Sequence, residues 1–188
     1  MKKEVAIIGY GYVGQAMHSE LGRKFIDQNK ATLALPDAIN GQCRLAIICV
    51  PTPMQETDDE FAAVDTSIVE DVVKWLDTPL ILIKSTVPPG TTDRLVEETG
   101  KNIAFSPEYI GEGKYQITPW KYMSPTDPTL HDFMICGGYD KTVEDILDIF
   151  VRQLGPEKTY LPMRAAEAEM IKYMENSWGA LKVMFAQE

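Results

Sequence analysis

Short apolar runs alternate with helix-period patterns along the whole chain. The runs stand at Glu4–Gly9, Lys24–Asp27, Leu45–Val50, Leu80–Lys84, Ile103–Phe105, Phe133–Cys136 and Thr159–Leu161. Several are apolar almost throughout, which suits strands of a parallel sheet covered on both faces. Helical patterns fill 13–22, 65–76, 90–99 and 141–154. Asp65 stands where it can cap the second of these, with Thr66 and Ser67 behind it. Alternation of this kind predicts right-handed crossovers and an α/β fold, doubly wound around a mostly parallel sheet.

The final segment differs. From about Pro162 to Glu188 the pattern is a single long helix, in which Met170, Ile171, Met174, Trp178, Leu181 and Phe185 step by three and four. That spacing makes one apolar stripe. The segment ends without a glycine cap and with Glu188 at the negative end of the helix dipole, like a helix cut partway. The expected organisation is a domain over 1–161 and the start of a long helix over 162–188. Lys114–Leu130, with Pro119, Pro125 and Pro128, reads as an irregular excursion.

Composition narrows the function classes. The 188 residues are 45% apolar and 24% charged, as in an ordinary globular protein with room for one domain and a remnant. Eighteen basic against 28 acidic side chains give a net charge of −10, and the pI is about 4.7. Such a surface repels phosphate backbones and anionic lipid, so neither nucleic acid nor membrane is an expected partner. No apolar run reaches the ~20 residues of a membrane span, and no secretory leader is recognisable. Cys43, Cys49 and Cys136, with only His18 and His131 beside them, form neither a disulfide framework nor a metal site. Cys49 and Cys136 read as core residues, and the three tryptophans and nine methionines as packing. The chain reads as soluble and cytoplasmic.

The candidate chemistry lies in turns. Gly9-Tyr10-Gly11-Tyr12-Val13-Gly14 follows the first strand and opens a helix, which is the dinucleotide fingerprint of a Rossmann-type sheet. Gly9 permits the tight turn, Gly11 lets the backbone approach a pyrophosphate, and Gly14 allows close helix–strand packing. An acid at the end of the second strand should hold ribose hydroxyls and select NAD. Asp27 stands there, only 13 residues after Gly14, and Asp37 is the rival. Three further strands end in Val50-Pro51-Thr52-Pro53, Ser85–Thr92 and Ser106-Pro107-Glu108-Tyr109-Ile110-Gly111-Glu112-Gly113. In a parallel sheet these turns share one edge, so the glycine loop, Asp27, Thr52, Thr86, Glu108 and Glu112 are expected around one crevice. On the last helix Glu169, Lys172 and Asn176 share a face. Taken alone, K-x-x-x-N reads first as a solvated polar face.

Together the motifs from Ile8–Gly14 through Lys172–Lys182 resemble the UDP-glucose/GDP-mannose dehydrogenase family, in its N-terminal NAD-binding domain and the start of its central helix. The resemblance implies NAD-dependent oxidation of a nucleotide-sugar primary alcohol to the acid. It places Gly9, Gly11, Tyr12, Val13, Gly14, Asp27, Val50, Pro51, Thr52, Thr86 and Glu112 at the cofactor. It places Glu108, Tyr109, Ile110, Gly111, Glu112, Lys172 and Asn176 at the substrate. Thr86 would orient a water, and Glu108 would act as base toward a thioester. Lys172 would stabilise the oxyanion, and Asn176 would hold the alcohol oxygen. The family's nucleophilic cysteine, in a loop ending C-x-P-K-D, has no counterpart in these residues, so they are expected not to complete the oxidation alone. A homodimer through the last helix is also expected. Two other readings stay open: a β-hydroxyacid-type dehydrogenase, against which the V-P-T-P and S-P-E-Y turns argue, and a non-catalytic nucleotide-binding module.

Overall fold

The structure, a computed structural model, describes residues 3–21, 25–26, 39–55, 63–109 and 131–187. In chain order the elements are β1 (Lys3–Ile8), α1 (Tyr12–Leu21), β2 (Phe25–Ile26), β3 (Cys43–Ile48), α2 (Ser67–Trp75) and β4 (Leu80–Ile83). They continue with α3 (Thr91–Thr99), β5 (Ile103–Phe105), β6 (Phe133–Gly138), α4 (Asp140–Leu154), β7 (Thr159–Met163) and α5 (Ala165–Gln187). One seven-stranded sheet has the order β2-β1-β3-β4-β5-β6-β7. The first five strands are parallel. β6 runs antiparallel to β5, and β7 is parallel to β6, so the last two strands are reversed against the rest.

The apolar runs become strands because both faces of the sheet are covered. In β3 and β4 alternate residues enter opposite layers. Ala46, Ile48, Ile81 and Ile83 pack with Val69, Val72 and Val73 of α2, Leu95 of α3 and Ala168 of α5. Leu45, Ile47, Leu80 and Leu82 pack with Met17 of α1 and with Val143, Ile146, Ile149 and Phe150 of α4. This doubly wound arrangement puts the ends of β1, β3, β4 and β5 on one edge.

Two details depart from expectation. Asp65 is not the cap residue of α2; Thr66 holds that position, and the Asp65 carboxylate accepts the Ser67 amide at 2.9 Å. Pro162 belongs to β7, where Cys136 pairs with it, and the long helix starts at Ala165. At its start α5 is pressed on β6. A Cβ on Gly137 would lie 2.7 Å from the Ala168 Cβ and 2.8 Å from the Arg164 carbonyl oxygen. Beyond Lys172 no described residue of α5 is buried. Met170, Met174, Trp178, Leu181 and Phe185 are exposed, so only Ile171 of the apolar stripe packs against the core. Among the described residues, Trp178 and the α5 methionines Met170, Met174 and Met184 are therefore exposed and not part of the core.

Candidate functional site

The glycine loop shows why each glycine stands where it does. Gly9 has φ +95°, and a Cβ there would lie 2.2 Å from the Cys49 carbonyl oxygen at the end of β3. A Cβ on Gly14 would lie 1.9 Å from the Gly9 carbonyl oxygen. Gly11 is different: nothing among the described residues stands within 4 Å of its missing side chain. Two glycines let the loop fold against the sheet, and the third leaves bare backbone at the mouth of α1. The first amides of that helix, from Tyr12 to Gly14, lie beyond the reach of intrahelical acceptors, which makes this end an anion site.

The β3 and β4 turns are fastened to each other. The Val50 amide donates to Ser85 Oγ at 3.0 Å, and that hydroxyl donates to the Val50 carbonyl oxygen at 2.7 Å. Thr52 Oγ1 donates to the Thr86 carbonyl oxygen at 2.8 Å. The β4 and β5 turns are joined by Lys84, which is buried. Its ammonium donates to Ser106 Oγ at 3.1 Å and to the Pro107 carbonyl oxygen at 3.2 Å. Pattern reading missed Lys84 because a lysine ending an apolar run looks like a strand surfacing. Its signal was available: Lys84 directly follows four consecutive apolar residues of a strand covered on both faces and precedes the Ser85–Thr92 turn.

Across this edge lies α5. Lys172 is 6% exposed, and its Nζ stands 3.2 Å from Glu108 Oε1 and donates to the Glu108 carbonyl oxygen. The same ammonium sits 5.5 Å above the Tyr109 ring, and Tyr109 meets Phe133 edge-on with centroids 5.3 Å apart. The solvated-face reading of K-x-x-x-N therefore fails for Lys172. Glu169 is buried as well. Asn176, two turns beyond Glu169, is exposed.

Thus Gly9, Gly11, Tyr12, Val13, Gly14, Val50, Pro51, Thr52, Thr86, Glu108, Tyr109 and Lys172 are placed on or beside one edge of the sheet, whereas Asn176 is exposed on α5 one turn beyond Lys172. Asp27, its rival Asp37, and Ile110, Gly111 and Glu112 lie outside the described residues, as does 114–130. Among the described residues no group of His, Cys, Asp and Glu is placed to hold a metal, and no helix is long and apolar enough to cross a membrane.

Burial governs the local ionisation. It pushes the Cys49 thiol from its ordinary 9.0 up to about 12, with Lys84 opposing and Glu108 adding. Cys136 rises to about 12 for the same reason, again against Lys84. Thiols this protonated are poor nucleophiles. Iodoacetamide at neutral pH is expected to leave both unmodified in the folded chain and to label them in urea. The linkage has a definite sign. The folded thiols keep protons that unfolded ones release, so their contribution to stability is complete below pH 9. It is lost as pH rises from 9 toward 12. Urea titrations across that window should show falling stability; a flat profile would contradict the burial.

Residues 27–118 match the family model described as the UDP-glucose/GDP-mannose dehydrogenase family, NAD binding domain. The chain is 25% identical over 223 residues to a UDP-N-acetyl-D-mannosamine dehydrogenase of Methanococcus maripaludis, covering 99% of this chain and 50% of that protein. It is 29% identical over 163 residues to a GDP-mannose 6-dehydrogenase of Pseudomonas savastanoi pv. phaseolicola, covering 77% of this chain and 34% of the relative. A crystal structure of a ternary complex of GDP-mannose dehydrogenase from Pseudomonas aeruginosa superposes with a TM-score of 0.74 at 22% identity. That match covers 100% of this chain and 52% of that one, and it establishes the fold. The chain spans about half the length of the first two archaeal relatives it matches.

Proposed function

We propose that this chain is a member of the UDP-glucose/GDP-mannose dehydrogenase family, whose NAD-binding model matches residues 27–118, and is the NAD-binding and hydride-transfer half of an enzyme that oxidises the primary alcohol of a nucleotide sugar. The observation that carries the reading is the buried pairing of Lys172 with Glu108 on the edge that also presents the bare Gly11 backbone and the Thr52–Thr86 turns. Within it, residues 1–161 form the cofactor domain, and 162–188 contain the start of the long helix that carries the substrate-side groups.

The residues present fit a dinucleotide. Gly9, Gly11 and the α1 amides of Tyr12, Val13 and Gly14 would cradle the pyrophosphate, with Asp27 at the ribose. Val50, Pro51, Thr52 and Thr86 would line the nicotinamide side, joined by Glu112. The chemistry that a bound NAD⁺ would supply there is acceptance of a hydride from the carbinol carbon. Lys172 supplies fixed positive charge where the alcohol oxygen becomes anionic, in a setting too dry to screen it. Asn176 donates to that oxygen. Glu108 holds the Lys172 ammonium in place and is a carboxylate able to take a proton from water. Tyr109, Ile110, Gly111 and Glu112 would complete the substrate-binding set that the resemblance implies.

The names of the relatives support a nucleotide-sugar substrate and leave the sugar open. The reading includes a homodimer through α5, supported by its exposed row of Met174, Trp178, Leu181 and Phe185. It also includes a cytoplasmic location without nucleic acid or membrane partners, supported by the acidic surface and three buried free thiols.

Calorimetric titration with both cofactors tests the cofactor assignment. NAD is expected to bind more tightly than NADP, because a carboxylate accepts the 2′-hydroxyl and repels a 2′-phosphate. Asp27→Ala is expected to weaken NAD binding more than Asp37→Ala. Tighter NADP binding would overturn the assignment, and the reverse order of the variants would move the role to Asp37.

A further inference from the structure

We propose that Glu169 is a positioning residue of this site: it pins α5 to the turn between β4 and α3 so that Lys172 arrives at Glu108. The inference rests on the reading above for its functional meaning, but its geometry stands apart from it. Glu169 is fully buried one helical turn before Lys172. Oε2 accepts the Gly90 amide at 2.6 Å, and Oε1 accepts the Thr92 amide at 2.9 Å and the Thr92 hydroxyl at 2.6 Å. Gly90 caps the N-terminus of α3, so the carboxylate sits where unpaired amides and the helix dipole favour an anion.

A helix docked only for stability would not choose this residue. Burying a carboxylate is costly unless every oxygen finds a donor. One turn earlier α5 docks with Ala165 and Ala168, which pack closely against Gly137. Such small apolar contacts set the distance between helix and sheet but resist sliding and rotation only weakly. Three directed bonds to a charged group fix both. The anchor they grip is the same turn that offers the Thr86 carbonyl to Thr52. Glu169 therefore ties the cofactor-side turn to the helix that carries Lys172, and Lys172 closes the circuit on Glu108. Beyond Lys172 no described residue of α5 is buried as a whole, so among the described residues Glu169 makes the directed bonds that hold this part of the helix.

The accessibility of Lys172 reads this role directly. The 188-residue chain is acetylated with acetic anhydride, and labelling of Lys172 is followed by mass spectrometry relative to the exposed Lys141. Glu169→Ala is expected to raise Lys172 labelling roughly tenfold by local release of the helix. Glu169→Gln keeps one acceptor oxygen and is expected to restore most of the protection, within about threefold of the unmodified chain. Lys101→Met serves as the stability control. It strips three hydrogen bonds from the C-terminal carbonyls of α2, far from α5, and should leave the Lys172 ratio unchanged.

Unchanged Lys172 labelling in a folded Glu169→Ala chain would overturn the proposal. So would an equal rise in Lys101→Met at the same loss of melting temperature. If Glu169→Ala does not fold, Thr92→Val removes one of the three bonds; a folded Thr92→Val with unaltered Lys172 labelling overturns the proposal equally. NAD titration of the unmodified chain is run alongside. Absence of binding there would count against the functional reading, while the labelling ratios would still decide the positioning role.

Discussion

Gly11→Val is expected to abolish NAD binding while leaving the fold intact. Among the three glycines of the loop, Gly11 alone has open space where a side chain would go. A valine there meets no atom of the described residues near its Cβ, and the backbone needs no left-handed conformation to accept it. The same side chain would fill the space through which a pyrophosphate reaches the loop. Loss of that approach should weaken binding by at least ~100-fold, about 2.7 kcal/mol. Calorimetry reads the binding, and far-UV circular dichroism with a urea midpoint reads the fold. Gly14→Val supplies the contrast, since its Cβ would lie 1.9 Å from the Gly9 carbonyl oxygen and the chain itself must yield. If Gly11→Val binds NAD as tightly as the unmodified chain, the loop is only a turn.

Lys172→Met should be costly in two separate currencies, stability and chemistry. The side chains of Lys172 and Glu108 are 8% and 15% exposed, so removing the ammonium takes the Lys172 charge away from a carboxylate in a dry site. Breaking a buried pair from one side typically costs about 3–5 kcal/mol, which a urea titration resolves easily. Asn176→Ala separates the two effects. Asn176 is exposed, and its removal should change stability by no more than about 0.5 kcal/mol. In an enzyme completed with the remaining half, both variants should slow hydride transfer by about 10²–10³-fold, as loss of an oxyanion partner does. Wild-type stability in Lys172→Met would contradict the buried pair. Wild-type turnover in Asn176→Ala would remove Asn176 from the site.

The strands and helices were legible because run length and period are local properties. Leu80–Ile83 is apolar throughout only because α3 and α4 cover its two faces, and α4 shows its buried row at Val143, Ile146 and Ile149. The direction of β6 and β7 was not legible. Whether a strand enters parallel or antiparallel is decided by its connection, and Lys114–Leu130 carries no period that announces a crossover helix. The turns were legible as a group, since proline, glycine and hydroxyl residues at successive strand ends imply a common edge. What tightens them was not. Ser85, Lys84 and Ser106 act through contacts between turns that are distant in the chain. The polar face of α5 shows the same limit. Spacing placed Glu169, Lys172 and Asn176 together, but only the packing of α5 on the β4–α3 turn separates two buried charged residues from one exposed amide.

On the proposed function, these residues are the NAD-linked half of a nucleotide-sugar dehydrogenase and need a thiolate from elsewhere for the acid. NADH formation with UDP- and GDP-sugars, followed by absorbance, tests it most directly. The chain alone should not deliver two NADH per sugar, because Cys49 and Cys136 are buried with thiols raised to about 12 and Cys43 is buried too. Adding a C-terminal half that bears the family's cysteine loop should bring the yield to two NADH per sugar. Two equivalents from these 188 residues unaided, or none in the presence of that half with NAD bound, would contradict the account.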